Sequence, residues 1–327
     1  MMKKILPLIH APIETYQGTS FILSILLAYE NMSDAYFNNY VNLQCNNTDN
    51  SYKMKLEFAD VAWEDYRVSG IAEMNLYYLK NIHRDNFIDF IKERIDQGNY
   101  LIFYSIDEYY LSYSEHYKND HFSHDTYVYG YEIDCFCVMA YKERKLSRFN
   151  IPMMELLMAL YCHESALDDL SFCTFRPNHA VKEIFSLEKI KLSLSDYYHS
   201  EHTGNKNTSL VYGINTYDIL LSCVRKAILN FGTELAYIDL CPFRLFWEHK
   251  KVLKDHITKI NESIILDDMI NGMINDIESK AMIIFKLMIK YSLNNDGHIL
   301  ESVVSYLLQL REKEEKLIYM LLIALGN

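Results

Sequence analysis

Cysteine gives this chain no framework. Its 327 residues include 7 cysteines, scattered, with only Cys135 and Cys137 close together. There is no CxxC pair, which disfavours a zinc knuckle and leaves a disulfide scaffold without support. Proline is scarce, 5 residues with none after Pro242. Positive charge is short as well: 32 Lys and Arg face 44 Asp and Glu, for a net charge of −12. That balance argues against a broad nucleic-acid footprint. Long apolar runs are missing. The longest, near Phe21–Tyr29 and Leu317–Leu325, fall short of a bilayer span. The opening MMKKILPLIHAP carries two lysines, but Pro7 cuts its apolar run, so it does not read as a signal peptide. The expectation is a soluble cytoplasmic protein with neither membrane nor nucleic acid as a partner. No clear internal repeat and no low-complexity tail stand out.

Aromatic and apolar material is plentiful. Hydrophobic residues make up 50% of the chain, enough for one large or two modest domains. There are 27 tyrosines and 16 phenylalanines, and nine of the tyrosines fall between Tyr100 and Tyr131. A tyrosine offers an apolar ring with a polar tip, which suits a half-buried cleft.

The stretch GNYLIFYSIDEYYLSYSEHYKNDHFSHDTYVYGY, Gly98 to Tyr131, organises the reading. Tyr100–Ile106 predicts a buried strand and Thr126–Tyr131 a second. Asp134–Tyr141 predicts a third, with Glu132–Asp134 as a tight turn that pairs the last two antiparallel. Between the first two strands lies a polar loop with His116, His121 and His124. A histidine at the mouth of a strand is held by the sheet while its ring faces a cleft, which suits a general base.

Helices are expected around this sheet. Phe21 onward reads as a buried helix that Thr19 or Ser20 can cap. Asp85–Gln97 reads as an amphipathic helix capped by Asp85 and stopped by Gly98. Composition shifts near Asn150, and the remainder is mainly helical. Expected helices there are Met153–Tyr161, Tyr217–Phe231, Phe243–Ile260, Asp276–Leu293 and His298–Leu325, with Ser195–Ser209 as a polar loop. The division expected is an α+β region, 1–150, and a helical region, 151–327.

Several side-chain sets are candidates for chemistry. In a cysteine-protease-like arrangement the nucleophile opens a buried helix, where free N–H groups lower a thiol's pKa and hold an oxyanion. The histidine then opens a later strand, and an acid or amide on the next strand orients it. Here the helix start reads Gln17, Gly18, Thr19, Ser20, and it holds no sulfur. Ser20 or Thr19 is a hydroxyl candidate, against ordinary helix capping. A metal site from His116, His121, His124, Asp120 and Asp125 is disfavoured, because these residues show neither HExxH nor HxD spacing. Cys45, Cys162 and Cys173 are nucleophile candidates, against the commoner reading as buried structural thiols. Asp107–Glu108 at a strand end can orient a histidine or hold an amine, or stand solvated. Trp247-Glu248-His249-Lys250-Lys251 reads as a surface-to-core transition.

NYLIFYSIDEYYL followed by HYKNDHFSHDTYVYGYE resembles the pattern xDxYYLPxxxxYxxxHxxHxxxVYGYD of the butirosin biosynthesis protein H family. YQGTSFILSILLAYE with NNYVNLQC resembles that family's start. YGINTYDILL and FRLFWEHKKVLKDHI resemble a subgroup associated with nonribosomal peptide and related natural-product biosynthesis. The resemblance covers roughly Ile5 to Leu322. It implies a papain-like N-terminal domain and an acyltransferase or amide-forming activity on acyl or peptidyl groups borne by a carrier protein, with an amine as acceptor and no cofactor. On that pattern His124 falls on the catalytic histidine, while Asp107, Tyr109 and Tyr110 line the cleft. Gln17 falls on the family's cysteine, with Gly18 and Thr19 beside it as substrate-binding positions. Ser20 is then a substitute nucleophile and Glu143 the acid of the third position. The alternative is a pseudoenzyme, a non-catalytic binding module of the same assembly line. A homodimer stays open.

Overall fold

A computed structural model describes residues 3–47, 54–59, 61, 69–143, 145–161, 170–204, 207 and 209–326. The chain begins with β1 (Lys4–Ile5), α1 (Gln17–Leu26), α2 (Asp34–Asn38), β2 (Leu43–Asn46), β3 (Leu56–Phe58) and β4 (Ala72–Tyr78). Next come α3 (Phe87–Asp96), β5 (Tyr100–Asp107), β6 (Ser123–Tyr131), β7 (Cys135–Lys142) and β8 (Lys145–Pro152). Then follow α4 (Met153–Tyr161), β9 (Ser171–Pro177), α5 (Leu187–His199), β10 (Leu210–Tyr212) and α6 (Thr216–Leu229). Three long helices close the chain: α7 (Cys241–Asn261), α8 (Asp268–Asn294) and α9 (Gly297–Ala324). The protein is α+β, with antiparallel sheets and a helical C-terminal region.

Two compact units divide the chain, and each is discontinuous. One comprises Met1–Ser33 and Trp63–Glu183, the other Asp34–Ala62 and Ile184–Asn327. The main sheet lies in the first unit and continues past position 150 through β8 and β9. Its order is β4-β9-β5-β6-β7-β8, with β1 paired to β6, and every pairing is antiparallel. The three strands expected from the sequence lie side by side in it, and Glu132–Asp134 turns β6 into β7 as expected. β1 crosses close over Gly130, where an added Cβ would meet the Lys4 carbonyl at 2.7 Å. Only glycine fits that approach.

α1 forms because FILSIL is apolar almost all round. Phe21 through Leu26 are buried. Phe21 packs on Tyr127 of β6, ring centroids 4.7 Å apart, and on Tyr100 of β5 at 5.9 Å. The helix starts earlier than the hydroxyl caps predict. Tyr16 is the N-cap and contributes no side-chain bond. Thr19 and Ser20 lie inside the first turn, where Ser20 N–H donates to the Tyr16 carbonyl. Asp85 likewise does not cap α3. It sits in a preceding 3₁₀ turn, Arg84–Asn86, which His83 caps. Gly98 ends α3 with φ +85°.

In the second unit β10, β2 and β3 form a small antiparallel sheet. Residues Ser195–His199, expected as loop, are the last turn of α5. The Trp247–Lys251 stretch is a further departure, since Glu248, His249 and Lys250 are all buried in α7. Lys250 Nζ donates to Glu314 Oε1 of α9 at 2.7 Å, to Tyr197 OH at 3.2 Å and to His249 Nδ1 at 3.0 Å. Tyr217 OH donates to the other Glu314 oxygen, and His249 Nε2 faces the Val41 carbonyl at 2.8 Å. All three ammonium protons thus find acceptors, the condition under which a fully buried lysine is tolerated.

Candidate functional site

The sheet register sets the site. β5 and β6 pair Phe103 with Thr126, then shift so that Ile106 faces His124. The irregularity centres on Ser105, whose φ is +55° and whose N–H donates to Asp125 Oδ1 at 3.1 Å. A bulge of this kind re-aims the strand beyond it. It brings the end of β5, with Glu108 just past it, alongside His124 at the start of β6.

His124 sits between two partners. Its Nδ1 lies 3.0 Å from Glu108 Oε1. Its Nε2 lies 3.4 Å from the Gln17 carboxamide. The Tyr141 ring is nearly parallel to the imidazole at 6.1 Å, and Phe122 meets it edge-on at 5.7 Å. Glu108 is 5% exposed and also accepts from Ser114 Oγ at 2.5 Å. Burial pushes the Glu108 carboxyl up, but the hydrogen bonds from His124 and Ser114, with the nearby imidazoles, outweigh it and hold the group below its ordinary value. An ionised Glu108 accepts from an Nδ1–H, which fixes the ring's orientation.

Gln17 is the first residue of α1 and is 6% exposed. One orientation of its carboxamide satisfies the backbone around it. The nitrogen donates to the Asp125 carbonyl at 2.9 Å and the oxygen accepts from Tyr141 N–H at 3.3 Å. The reverse orientation sets like against like at both contacts. The amide oxygen is then the atom facing His124 Nε2, and that 3.4 Å contact is a hydrogen bond only when Nε2 also carries a proton.

Of the residues named from the sequence, Gln17 and His124 are brought together. Gly18 and Thr19 follow Gln17 in the first turn of α1, and Ser20 closes that turn and is buried. Glu143 occupies the exposed β7–β8 turn with φ +51°, and the carboxylate on the His124 ring is Glu108 instead. Asp107 caps the 3₁₀ turn Glu108–Tyr110 through Tyr109 N–H and pairs with His121 Nδ1 at 2.6 Å. Tyr109 stacks on His121 at 4.5 Å, with Tyr110 at 6.4 Å. His116 pairs separately with Asp120 at 2.8 Å. Each histidine thus has its own carboxylate, and among the described residues no group of three or more His, Cys, Asp or Glu converges to hold a metal. Cys45 is buried in β2, its thiol pushed up to about 12 chiefly by burial. Cys173 lies within β9, and Cys162 lies outside the described residues.

Ser114 and the Asp125 and Tyr141 backbone groups carried no sequence signal as members of the site. Glu108 did, as half of the Asp107–Glu108 pair that can orient a histidine. Its choice over Glu143 follows from the β5–β6 register. No protein-family model matches the chain, and a search of curated proteins finds no match. Among the described residues no helix is long and apolar enough to cross a membrane.

Proposed function

We propose that this chain is a non-catalytic accessory protein of acyl or peptidyl transfer in peptide-like natural-product biosynthesis, related to the papain-like proteins of the butirosin biosynthesis protein H pattern. It engages an intermediate borne by an acyl or peptidyl carrier protein at the Gln17–His124 site. One observation carries the reading: a carboxamide stands at the helix start 3.4 Å from His124 Nε2, while Glu108 holds the ring's other nitrogen at 3.0 Å. The dyad is that of a nucleophile-activating site, and Gln17 has no nucleophilic atom to activate.

Gln17→Cys tests it. Incubated with an acyl N-acetylcysteamine thioester, this variant should gain the acyl mass. Its thiolate attacks the carbonyl, the C–S bond to the carrier mimic breaks, and the released thiol leaves with the proton from His124. The wild type should gain nothing, and Gln17→Cys combined with His124→Ala should be acylated far more slowly. A failure of folded Gln17→Cys to acylate argues against the reading.

A second reading has its own support, because the His124 side chain is 34% exposed. In it an amine attacks the carrier thioester directly, His124 Nε2 takes the amine proton, and the carrier thiolate leaves and is reprotonated. That route needs no enzyme nucleophile. Amide formation by the wild type, lowered by about 100-fold in His124→Ala and unmoved in His116→Ala and His121→Ala, would establish it in place of the first.

A further inference from the structure

The Gln17 carboxamide fills a gap in the sheet. β6 and β7 pair Tyr127 with Met139, and the same register carried two residues further sets Asp125 opposite Tyr141. The β6–β7 pairing ends at Tyr127 and Met139, and beyond it Gln17 bridges the two, donating to the Asp125 carbonyl at 2.9 Å and accepting from Tyr141 N–H at 3.3 Å. A third polar group, His124 Nε2, stands 3.4 Å from the same carboxamide. The gap therefore presents one acceptor and one donor from the backbone, with an imidazole beside the donor. That is a complement to an amide group, with one place for its N–H and one for its oxygen. A carboxylate brings no donor for Asp125, and an alkyl group satisfies neither backbone atom. Gln17, itself 6% exposed, fills that place in the structure.

We propose that the strand gap between Asp125 and Tyr141 is an amide-recognition niche, that the Gln17 side chain is its internal ligand, and that the amide of an incoming small molecule or peptidyl intermediate takes the niche when Gln17 is withdrawn. Gln17 then competes with that amide for the niche beside His124. The biological ligand rests on the reading above, since a peptidyl intermediate carries amides. The niche itself does not.

Gln17→Ala provides the test, because it keeps Cβ and removes the four heavy atoms that acetamide possesses. Thermal unfolding of the wild type and the variant is followed with about 200 mM acetamide, N,N-dimethylacetamide or acetate, a concentration suited to a ligand with a dissociation constant on the order of 10 mM. Acetamide should raise the variant's Tm by about 3 °C over its effect on the wild type. N,N-dimethylacetamide, which lacks the N–H, and acetate should not. Equal shifts in both proteins, or equal shifts with the dimethyl compound, overturn the niche. A second measurement needs no variant: in the ¹⁵N-labelled wild type, the Gln17 side-chain NH₂ should exchange slowly with water. A freely exchanging NH₂ overturns the proposal even if Gln17→Ala does not fold. Acetamide rescue of Gln17→Ala without acylation of folded Gln17→Cys keeps the niche and sinks the accessory-protein reading. Acylation of Gln17→Cys without acetamide rescue of Gln17→Ala does the reverse.

Discussion

Glu108 Oε1 and His124 Nδ1 stand 3.0 Å apart, joined across the β5–β6 pairing by a register shift at Ser105. The carboxylate is nearly inaccessible and the ring a third exposed. A buried acceptor thus orients a reachable base, although the helix facing that base starts with an amide.

That pair gives the first prediction. Glu108 titrates below its ordinary 4.5 in the folded protein, so the folded state binds its proton less readily than the unfolded chain. Its contribution to stability is complete above about 4.5 and is lost as pH falls through the lower folded value. Urea unfolding of the wild type between pH 7 and pH 3 should show that loss. Glu108→Gln should be less stable at pH 7 by about 1–3 kcal/mol and should have a shallower acid limb. Parallel acid limbs in the two proteins would refute the assignment.

The buried pair in the second unit gives another. Lys250 and Glu314 are both 0% exposed. Burial pushes the Lys250 ammonium down, opposed by Glu314. Removing one partner leaves the other charge stranded, so Lys250→Met or Glu314→Leu alone should cost about 3–5 kcal/mol. The double substitution should recover most of that loss, since replacing a buried pair by apolar groups is often near neutral. A denaturant double-mutant cycle measures the coupling, and additive losses would show that the pair does not interact.

How much of this was legible beforehand depended on whether the signal was local. β5, β6 and β7 announce themselves by dense aromatic and β-branched residues, and α4 by Pro152 ahead of an apolar run. β4 (AEMNLYY) and β8 (KLSRFNIP) did not, because both are edge strands with much of their length exposed. An edge strand lacks the two-sided burial that writes a hydrophobic run into the sequence. The nearness of Gln17 to His124 was readable through the order of helix start and histidine strand. Glu108 as partner was not decided, since that depends on one irregular residue in a ladder. Lys250 reads as surface by type. Its burial depends on Glu314, 64 positions away, and no window on the sequence holds both.

Thiol reactivity separates buried from reachable cysteines. Burial pushes Cys137 up to about 11 and Cys45 to about 12, and Cys223 is buried as well. Cys241 is exposed, although burial of its thiol and Asp239 still push it to about 11. Iodoacetamide at pH 7.5 should therefore leave Cys45, Cys137 and Cys223 unmodified in the folded protein and reach Cys241 slowly, read by peptide mass mapping. Fast native labelling of Cys45 would mean that β2 opens readily.

Two buried histidines make the second unit sensitive to mild acid. His249 Nε2–H donates to the Val41 carbonyl, which leaves Nδ1 as the acceptor for Lys250. His256 touches the Asn39 carbonyl through Nε2 and the Val252 carbonyl through Nδ1. Burial pushes both rings below 6.5, with Lys250 adding to the effect at His249. The unfolded chain therefore takes up protons near 6.5 while the folded rings stay neutral. Stability is unaffected well above 6.5 and declines as pH falls below it, until the folded values are reached. A second ring proton, on His249 Nδ1, would face the Lys250 ammonium and find no acceptor, so His249 carries the larger effect. Denaturant midpoints should drop between pH 7.5 and pH 5.5, a range in which Glu108 stays ionised. His249→Gln keeps one donor and one acceptor, and should flatten part of that slope even if it lowers the plateau. An unchanged slope in both His249→Gln and His256→Gln would mean that these rings are already charged in the folded protein.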